Sequence, residues 1–147
     1  MILHAGLIAM RLDRAWRGVL VLGAAGSGKS DLMLRALDAG FRLVADDRVL
    51  VWRSAQTPYG RAPDPLSGLI ELRGLGVIQE PALPMAEIAL AVRCLPPGEV
   101  MERMPDPGFE EIAGLRVQAL AIHALDASAP AKLSRALNRL GRDRGAA

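Results

Sequence analysis

Runs of apolar residues divide the first third of the chain into strand-like and helix-like segments. Residues 2–11 alternate as in a β-strand, and residues 18–22 form the continuous apolar run that is typical of a buried strand. Residues 31–40 carry apolar side chains at helical spacing, and Gly40 stands where a helix would end. Residues 41–47 return to a strand pattern. This strand–loop–helix–strand order predicts parallel pairing of the two strands through a right-handed crossover.

The rest of the chain is predicted to be mainly β-structure with a terminal helix. Strands are predicted at residues 48–53, at 68–78 with a glycine interruption, at 86–95 and at 114–125. The Pro, Ser and Gly content of residues 54–67 and 96–109 predicts loops. Residues 128–141 form an amphipathic pattern, with Ser128 as the N-cap and Gly141 as the stop signal. The whole pattern predicts an α/β fold with a mixed sheet and flanking helices.

Length and composition narrow the possible classes of protein. A chain of 147 residues is expected to form one domain, residues 1–147, with a substantial core. Apolar residues make up 51% and aromatic residues 3%, which excludes a disordered chain and an RNA binder that works by stacking. Sixteen Arg against two Lys raise the pI to 9.2, yet the net charge is only +2. We therefore expect no nucleic-acid partner.

Cysteine usage and the terminal sequence indicate a location. Cys94 is the only cysteine, so no internal disulfide can form, and we expect it to be a small core residue. The N-terminal residues lack the charged start and the cleavage site of a signal peptide. No apolar run has the length needed to cross a bilayer. We expect a soluble, cytoplasmic protein without a membrane partner.

The strongest chemical signal is the segment GAAGSGKS, which matches the pattern G-x-x-x-x-G-K-[ST]. Glycines let the backbone N–H groups point into one concavity that a phosphate fills, and the helix that follows adds its positive dipole end. Lys29 is expected to contact the β- and γ-phosphates, and the Ser30 hydroxyl to ligate Mg²⁺. The predicted ATP-binding residues are Gly23, Ala24, Ala25, Gly26, Ser27, Gly28, Lys29 and Ser30.

Two consecutive carboxylates, Asp46 and Asp47, end the strand that follows the predicted helix. Ligands of parallel α/β units collect at the carboxyl ends of the strands, so this pair is expected beside the γ-phosphate. Because side chains alternate along a strand, one carboxylate is expected to address the reacting hydroxyl, while the other orders a loop or the metal shell. The alternative is a structural turn, where Asp is common.

A second candidate site is the segment IELRGLG. Glu71 and Arg73 are two residues apart and are expected to share one strand face, while Leu72 points away. An acid, a base and two glycines, Gly74 and Gly76, suit a metal and phosphate site. A surface ion pair before a turn explains the same residues, and both interpretations remain open.

Taken together, the segments GVLVLGAAGSGKSDL, GFRLVADDRV and LIELRGLGVI resemble the catalytic domain of the HPr kinase/phosphorylase family, in the family's order. The resemblance covers residues 18–80 and is thin afterwards. It implies a fold of the HPr kinase and PEP carboxykinase type. The chain resembles a short form with the catalytic domain only.

The resemblance implies an ATP- and Mg²⁺-dependent kinase for a regulatory serine of HPr, the phosphocarrier of the sugar phosphotransferase system, and a hexamer. Carried over by motif, Asp46 is the base that takes the serine proton, and Lys29 holds phosphate. Ser30 and Glu71 hold Mg²⁺, and we add Asp47 to this metal set. Arg73 belongs to the loop that contacts substrate.

Two further residues are candidates by resemblance, and each has a structural alternative. Arg103, in MERMP, resembles a later catalytic arginine, or it is a solvated side chain. His4 resembles an early family histidine, but here Ala5 stands between it and glycine, and the distance to the GAAGSGKS segment is longer. The alternative for His4 is a core residue of an apolar strand.

Two other functions remain open: a kinase of a small alcohol such as free serine, and a nucleotide-dependent switch without phosphoryl transfer. The reverse, phosphate-dependent reaction of the family is expected to be weak here. Residues 123–133, HALDASAPAKL, lack glycine and carry one acid, Asp126, and one base, Lys132. A second phosphate needs more positive charge and more backbone donors than this segment offers.

Overall fold

The computed structural model describes residues 1–145. Its strands are β1 (Ile2–Leu3), β2 (Gly6–Leu12), β3 (Ala15–Leu22), β4 (Arg42–Ala45), β5 (Val49–Ser54), β6 (Thr57–Arg61), β7 (Leu69–Leu72), β8 (Gly76–Gln79), β9 (Ala86–Cys94), β10 (Gly108–Ile112) and β11 (Leu115–Ile122). The helices are α1 (Lys29–Asp38) and α2 (Ala129–Gly145), and a 3-10 turn covers Asp64–Leu66. The predicted mixed α/β fold is confirmed.

Nine strands form one mixed sheet, and β7 and β8 form a separate antiparallel hairpin within the described residues. The main order is β1-β5-β6-β9-β3-β2-β4. Strand β9 pairs in parallel with β3 on one side, and β6 and β11 share its other side. Strand β10 follows as the antiparallel partner of β11. On that side of β9, β6 pairs with the first residues of the strand and β11 with the last residues.

The predicted direct pairing of the strands before and after α1 is wrong. Strand β2 lies between β3 and β4 and pairs antiparallel with both. It can fill this central position because it is apolar on both faces: Leu7, Ile8 and Ala9 are fully buried. Since β3 and β4 both run antiparallel to β2, they still point the same way. Their carboxyl ends consequently meet at one edge of the sheet, as the candidate site requires.

The sheet buries one apolar cluster on each face. One cluster joins the sheet to both helices, with Val19 and Val21 from β3 and Leu133 and Leu137 from α2. The other cluster lies on the opposite face, where Leu20 packs with residues of β2 and β5. Alternate residues of β3 thus enter different cores, which is why this strand reads as a continuous apolar run.

Both helices lie where the pattern predicts, but the end of α2 differs. At the end of α1, Gly40 has φ 100°, and the Phe41 N–H donates to the Ala36 carbonyl at 3.1 Å, which closes the helix as predicted. Helix α2 continues past Gly141 to Gly145. A single helical glycine costs only about 1 kcal/mol relative to alanine, so it does not have to end a helix. Neither helix is long and apolar enough to cross a membrane.

Three local predictions need correction. Residues 2–11 do not form one strand, because the chain bends between β1 and β2. Strand β10 was missed in the segment that precedes β11. Residues 54–67 were predicted as a loop, yet they contain β6, which pairs with β5 and with the start of β9.

Strand β6 was not predicted because Pro58 and Gly60 are typical of loops. The packing of the sheet explains why glycine stands at position 60. A Cβ atom on Gly60 would lie 2.7 Å from Leu7 Cδ2 and 2.9 Å from Val49 Cγ1. Glycine is therefore required here by close packing within the sheet, and it does not indicate a flexible loop.

We expect Gly60→Ala to destabilise the fold by about 1–3 kcal/mol, because the added methyl group overpacks the buried face between β2 and β5. Urea denaturation measures the change in the free energy of unfolding. Thr57→Ala in the same strand is the control, since Thr57 is only partly buried, and it should stay within about 0.5 kcal/mol. Equal stability of Gly60→Ala and wild type would contradict the packing argument.

Candidate active site

The P-loop, residues 23–30, connects β3 to α1 at the edge where β3 ends. The Ser27 N–H donates to the Ala24 carbonyl at 3.1 Å, which folds the loop back on itself. Gly28 precedes α1 with φ 93°, and a Cβ there would lie 3.0 Å from Leu125 Cδ2. A Cβ on Gly26 would meet no atom within 4 Å, so the loop is open at this point. These features fit a phosphate cradle at a helix N-terminus.

Lys29 reaches back over the loop. Its Nζ donates to the carbonyls of Gly23 at 2.7 Å and Ala24 at 3.0 Å. An ammonium group has three donors, so one N–H of Lys29 remains for a phosphate oxygen. The two carbonyls hold the charge at the mouth of the cradle, where the sequence pattern predicts it.

Asp46 joins the three sequence motifs. It is only 9% exposed, and its Oδ2 accepts a hydrogen bond from the Glu71 backbone N–H at 3.0 Å. The Ser30 hydroxyl of the P-loop lies close enough to this carboxylate to act against the rise of its pKa. The predicted position of Asp46 beside the P-loop is therefore the one that the structure has, and the IELRGLG segment lies at the same place.

The surroundings of Asp46 change its proton affinity. Burial raises the pKa of the Asp46 carboxyl above its usual 3.8, and the negative charges of Asp47 and Glu71 raise it further. The hydrogen bond from the Glu71 N–H and the nearby Ser30 hydroxyl act in the opposite direction, but burial dominates. A carboxylate whose pKa is raised is a stronger proton acceptor, which suits a general base.

Asp47 faces differently from Asp46, as predicted, but strand alternation is not the reason, because both residues lie beyond the end of β4. Its φ is 67°, and the Arg48 N–H donates to the Asp46 carbonyl at 2.8 Å, which makes a tight three-residue turn at Asp47. The Asp47 side chain is 75% exposed, and its Oδ2 lies 4.0 Å from Arg48 Nε. The turn directs the two carboxylates apart and leaves Asp46 in the site.

Glu71 and Arg73 do not share a strand face. Glu71 lies in β7, whereas Arg73 lies beyond it, in the turn that the Leu75 N–H closes by donating to the Leu72 carbonyl at 3.0 Å. Leu72 is buried, as predicted. Both Glu71 and Arg73 have exposed side chains, and no ion pair joins them in the described part of the chain. The surface ion-pair interpretation is therefore wrong.

The residues at this edge fit a magnesium ion only together with a nucleotide. No group of three or more His, Cys, Asp or Glu side chains in residues 1–145 could hold a metal ion alone. Mg²⁺ is commonly held by one or two carboxylates together with substrate phosphates and waters. The Ser30 hydroxyl and the carboxylates around Asp46, including Glu71, offer such a partial set. The assignment of Asp47 as a metal ligand stays a prediction.

His4 and Arg103 occupy different surroundings. His4 is exposed in the bend between β1 and β2, so the core interpretation is wrong. The next residue, Ala5, donates its N–H to the Asp47 carbonyl at 3.2 Å, which places His4 near the turn of residues 46–48, the aspartate turn. Arg103 is exposed in the loop between β9 and β10, without a hydrogen bond or ion pair in the described residues. The catalytic roles of both residues stay predictions.

Two neighbours of the P-loop were not recognised as such from the sequence. Cys94 is buried, as predicted, but its Cβ would lie 3.0 Å from a Cβ on Gly23, directly against the loop. Burial raises the pKa of the Cys94 thiol, and the charge of Lys29 acts against this rise. Arg35 of α1 donates to the carbonyls of Ala124 and Asp126 and so holds the turn after β11. No sequence pattern marks either contact, because both partners are distant in the chain.

Other depressions of the surface lie away from this edge. One of about 830 Å³ is lined by Lys132 with Leu120 and residues of α2, and another of about 580 Å³ includes Phe109 and Arg116. Neither contains a residue of the P-loop or of the aspartate turn. Shape alone therefore does not select the candidate site, whereas the convergence of the motifs does.

Comparison with known proteins agrees with this geometry. The model of the HPr serine kinase C-terminal domain family matches residues 6–83, which is more than half of the chain. That range contains the P-loop, the aspartate pair and the β7–β8 hairpin. The terminal part of the chain, from β9 to α2, lies outside the match.

Individual relatives carry the same family name. The chain is 37% identical over 131 residues to an HPr kinase/phosphorylase of Limosilactobacillus reuteri, covering 82% of this chain and 40% of that protein. It is 52% identical over 62 residues to the HPr kinase/phosphorylase of Lacticaseibacillus casei, covering 42% of this chain and 19% of that protein. The chain thus spans less than half the length of these curated relatives.

A solved structure matches over the full length. The HPr(Ser) kinase/phosphatase from Coxiella burnetii aligns with a TM-score of 0.80 and 26% identity, covering 100% of this chain and 99% of that chain. The similarity therefore extends to β9–β11 and α2, where the sequence resemblance is thin.

The raised pKa of Asp46 predicts a pH-dependent stability difference. The Asp46 carboxyl has a higher pKa in the folded chain than in the unfolded chain. The free energy of unfolding therefore falls as the pH rises from 3.8 through the folded pKa, because the folded state disfavours the charged form. Asp46→Asn cannot ionise and still offers an oxygen to the Glu71 N–H. We expect this variant to be more stable than wild type at pH 7 and equally stable well below pH 3.8.

Urea denaturation between pH 3 and pH 8 measures this difference. Asp47→Asn is the control, because its side chain is exposed. Its substitution removes a repulsion on Asp46 together with an exposed ion pair to Arg48, so its gain in stability should be smaller. A stability advantage of Asp46→Asn that does not change with pH would show that burial of the charge is not its cause.

Proposed function

Because the chain belongs to the HPr serine kinase C-terminal domain family, we propose that it is an ATP-dependent kinase that phosphorylates a serine of an HPr-type phosphocarrier protein. One observation carries the proposal: the Asp46 carboxylate accepts the Glu71 N–H at 3.0 Å beside Ser30 of the P-loop. This contact brings a phosphate cradle and a candidate base to one point. A nucleotide-binding switch without transfer would need a carboxylate there only for the metal ion, and it would not need a proton acceptor.

The proposed mechanism is in-line transfer of the terminal phosphoryl group of ATP to the serine oxygen. Asp46 accepts the proton of the serine hydroxyl, and its raised pKa makes it a stronger acceptor than an ordinary aspartate. Lys29 and the backbone N–H groups of the P-loop bind the phosphates and stabilise the charge that develops on their oxygens. The serine oxygen forms a bond to the γ-phosphorus while the bond from that phosphorus to the β–γ bridging oxygen breaks, and ADP leaves with the bridging oxygen. Positioning and electrostatics supply most of the catalysis.

Magnesium, when bound, neutralises the phosphate oxygens and orients the terminal phosphate. Ser30 and Glu71 are its proposed ligands, by motif and by their common position next to Asp46. Arg73 is proposed to contact the substrate from the exposed turn between β7 and β8. His4 and Arg103 are proposed to assist, on the resemblance of their motifs alone.

The location follows from the proposed partner, whereas the assembly has a separate basis. An HPr-type protein of the phosphotransferase system is a cytoplasmic partner, so we propose that this chain acts in the cytoplasm. A hexamer is proposed from the family resemblance alone.

The reverse reaction is proposed to be weak. Arg35 brings a positive charge to the turn after β11, which the sequence pattern did not reveal, but three of its five N–H groups donate to two carbonyls and to Asp31, whose carboxylate offsets its charge. Lys132 is exposed in the first turns of α2 and lines a different depression. A second phosphate beside a phosphoserine would thus find little free positive charge there.

Phosphoryl transfer from labelled ATP to HPr tests the proposal. The purified chain, with Mg²⁺ and an HPr-type protein, should label HPr at a serine, and free serine in a parallel reaction should remain unlabelled. Lys29→Ala should reduce labelling at least tenfold, since it removes a charge-assisted phosphate contact. Labelling of free serine in place of HPr would favour a small-molecule kinase, and ATP binding without any transfer would favour a switch.

The two aspartates give a matched pair of variants for the same assay. Asp46→Asn should lower the rate by about 10²–10⁴, the usual cost of losing a general base. Asp47→Asn should have a much smaller effect, because its side chain is exposed and paired with Arg48. The opposite ranking of the two variants would exclude Asp46 as the base.

The metal assignment predicts a separate effect for Glu71. Glu71→Gln retains the backbone N–H that donates to Asp46 but weakens a carboxylate contact to Mg²⁺. We expect half-maximal activity at several-fold higher Mg²⁺ than in wild type. Glu80→Gln, a partly exposed glutamate just after β8, is the control. A Glu71→Gln titration curve that superimposes on wild type would remove Glu71 from the metal set.

A further inference from the structure

The turn between β11 and α2, residues 123–128, lies directly against the P-loop. Ala124 Cβ and Leu125 Cδ2 would be 3.2 Å and 3.0 Å from a Cβ on Gly28, so they touch the backbone that precedes Lys29. Leu125 nevertheless leaves 69% of its surface exposed. A large apolar side chain thus covers one wall of the cradle and presents its remaining surface outward.

This turn is held in place by several hydrogen bonds. Arg35 of α1 donates to the carbonyls of Ala124 and Asp126, and its Nε donates to Asp31 Oδ2 at 2.9 Å. Within the turn, the Asp126 N–H donates to the His123 carbonyl at 3.1 Å, and the Ala129 N–H to the Asp126 carbonyl at 3.0 Å. Leu125 is therefore part of a preorganised surface, which lowers the entropy cost of binding.

The topology gives the direction in which a bound nucleotide extends. Strand β3 leads into the P-loop, with β2 and β4 on one side and β9 and β11 on the other. Asp46 follows β4, so the terminal phosphate belongs on that side. The nucleoside end of the same phosphate chain then extends away from Asp46, toward the strands on the opposite side. The turn that carries Leu125 follows β11 on that opposite side.

We infer that Leu125 is the apolar platform for the base of the bound nucleotide, so that the β11–α2 turn distinguishes a nucleoside triphosphate from a bare polyphosphate. The inference rests on the proposed function, because it takes the P-loop as an ATP site. The large apolar face of a purine matches an exposed leucine, while the phosphates make the polar contacts elsewhere. A pyrimidine offers less surface to the same side chain.

Binding of two ligands to the full chain tests the inference. The dissociation constants of Mg-ATP and Mg-tripolyphosphate are measured by calorimetry for wild type and Leu125→Ala. Leu125→Ala should raise the dissociation constant of Mg-ATP about five- to tenfold, which corresponds to the removal of a modest apolar contact area. The affinity for tripolyphosphate should change less than about twofold, because Leu125→Ala removes no N–H donor and no charge that binds phosphate. Leu125→Met should retain the affinity for ATP. The affinity for CTP should fall less than the affinity for ATP when Leu125 is replaced by Ala.

Leu75→Ala is the matched control: Leu75 is 70% exposed, and it lies in the turn beside Arg73. It should leave the ratio of the two affinities unchanged. Equal losses for both ligands in Leu125→Ala, or no loss for either, would overturn the inference. The outcome is separable from the proposed kinase function, because wild type that binds ATP but does not label HPr refutes the kinase and leaves the affinity ratio measurable. Wild type that does not bind ATP refutes both.

Discussion

The hydrogen bond from the Glu71 N–H to the Asp46 carboxylate organises this edge of the molecule. It connects the strand after α1 to the β7–β8 hairpin, across 25 positions of sequence, at a distance of 3.0 Å. A carboxylate with 9% exposure loses most of its hydration, and backbone donors offset only part of that loss. The site therefore holds a charge that the fold disfavours, and the raised pKa of Asp46 follows from this conflict. The unfavourable burial thus gives this carboxylate a greater proton affinity, which is the property that the proposed general base needs.

The turn at Asp47 makes this arrangement possible. A positive φ is uncommon for a residue other than glycine, and it is tolerated here because neighbouring backbone bonds define the turn from both sides. The Ala5 N–H binds the Asp47 carbonyl, and the Arg48 N–H binds the Asp46 carbonyl. The bend between β1 and β2 thus supports the bend between β4 and β5. One carboxylate consequently enters the site while the adjacent one stays in solvent.

Sequence reasoning located the P-loop, the aspartate pair and most of the strands, because each depends on local chemistry. GAAGSGKS requires glycines, a lysine and a helix start in one short segment, and the run before Asp46 is apolar because it is buried. Prediction from the sequence failed where the local structure depends on contacts with residues that are distant in the chain. From the sequence, Gly60 indicates a loop, whereas in the structure Leu7 and Val49 pack so closely against it that only glycine fits. Arg35 looks like a surface residue of a helix until its contacts with the β11–α2 turn are known.

The sequence by itself determined which residues are the candidates for the chemistry, because residue types and short spacings define a phosphate cradle and an aspartate at the end of a strand. Only the tertiary structure decided how these segments meet. Strand β2 inserts between β3 and β4, and no periodicity in β3 or β4 reveals this, since both are buried and apolar in either arrangement. Both strands still point toward one edge, so the predicted site survives the wrong topology. The surroundings of that site, including Leu125 beside Gly28, depend on packing between segments about 100 residues apart, for which a single sequence carries no local signal.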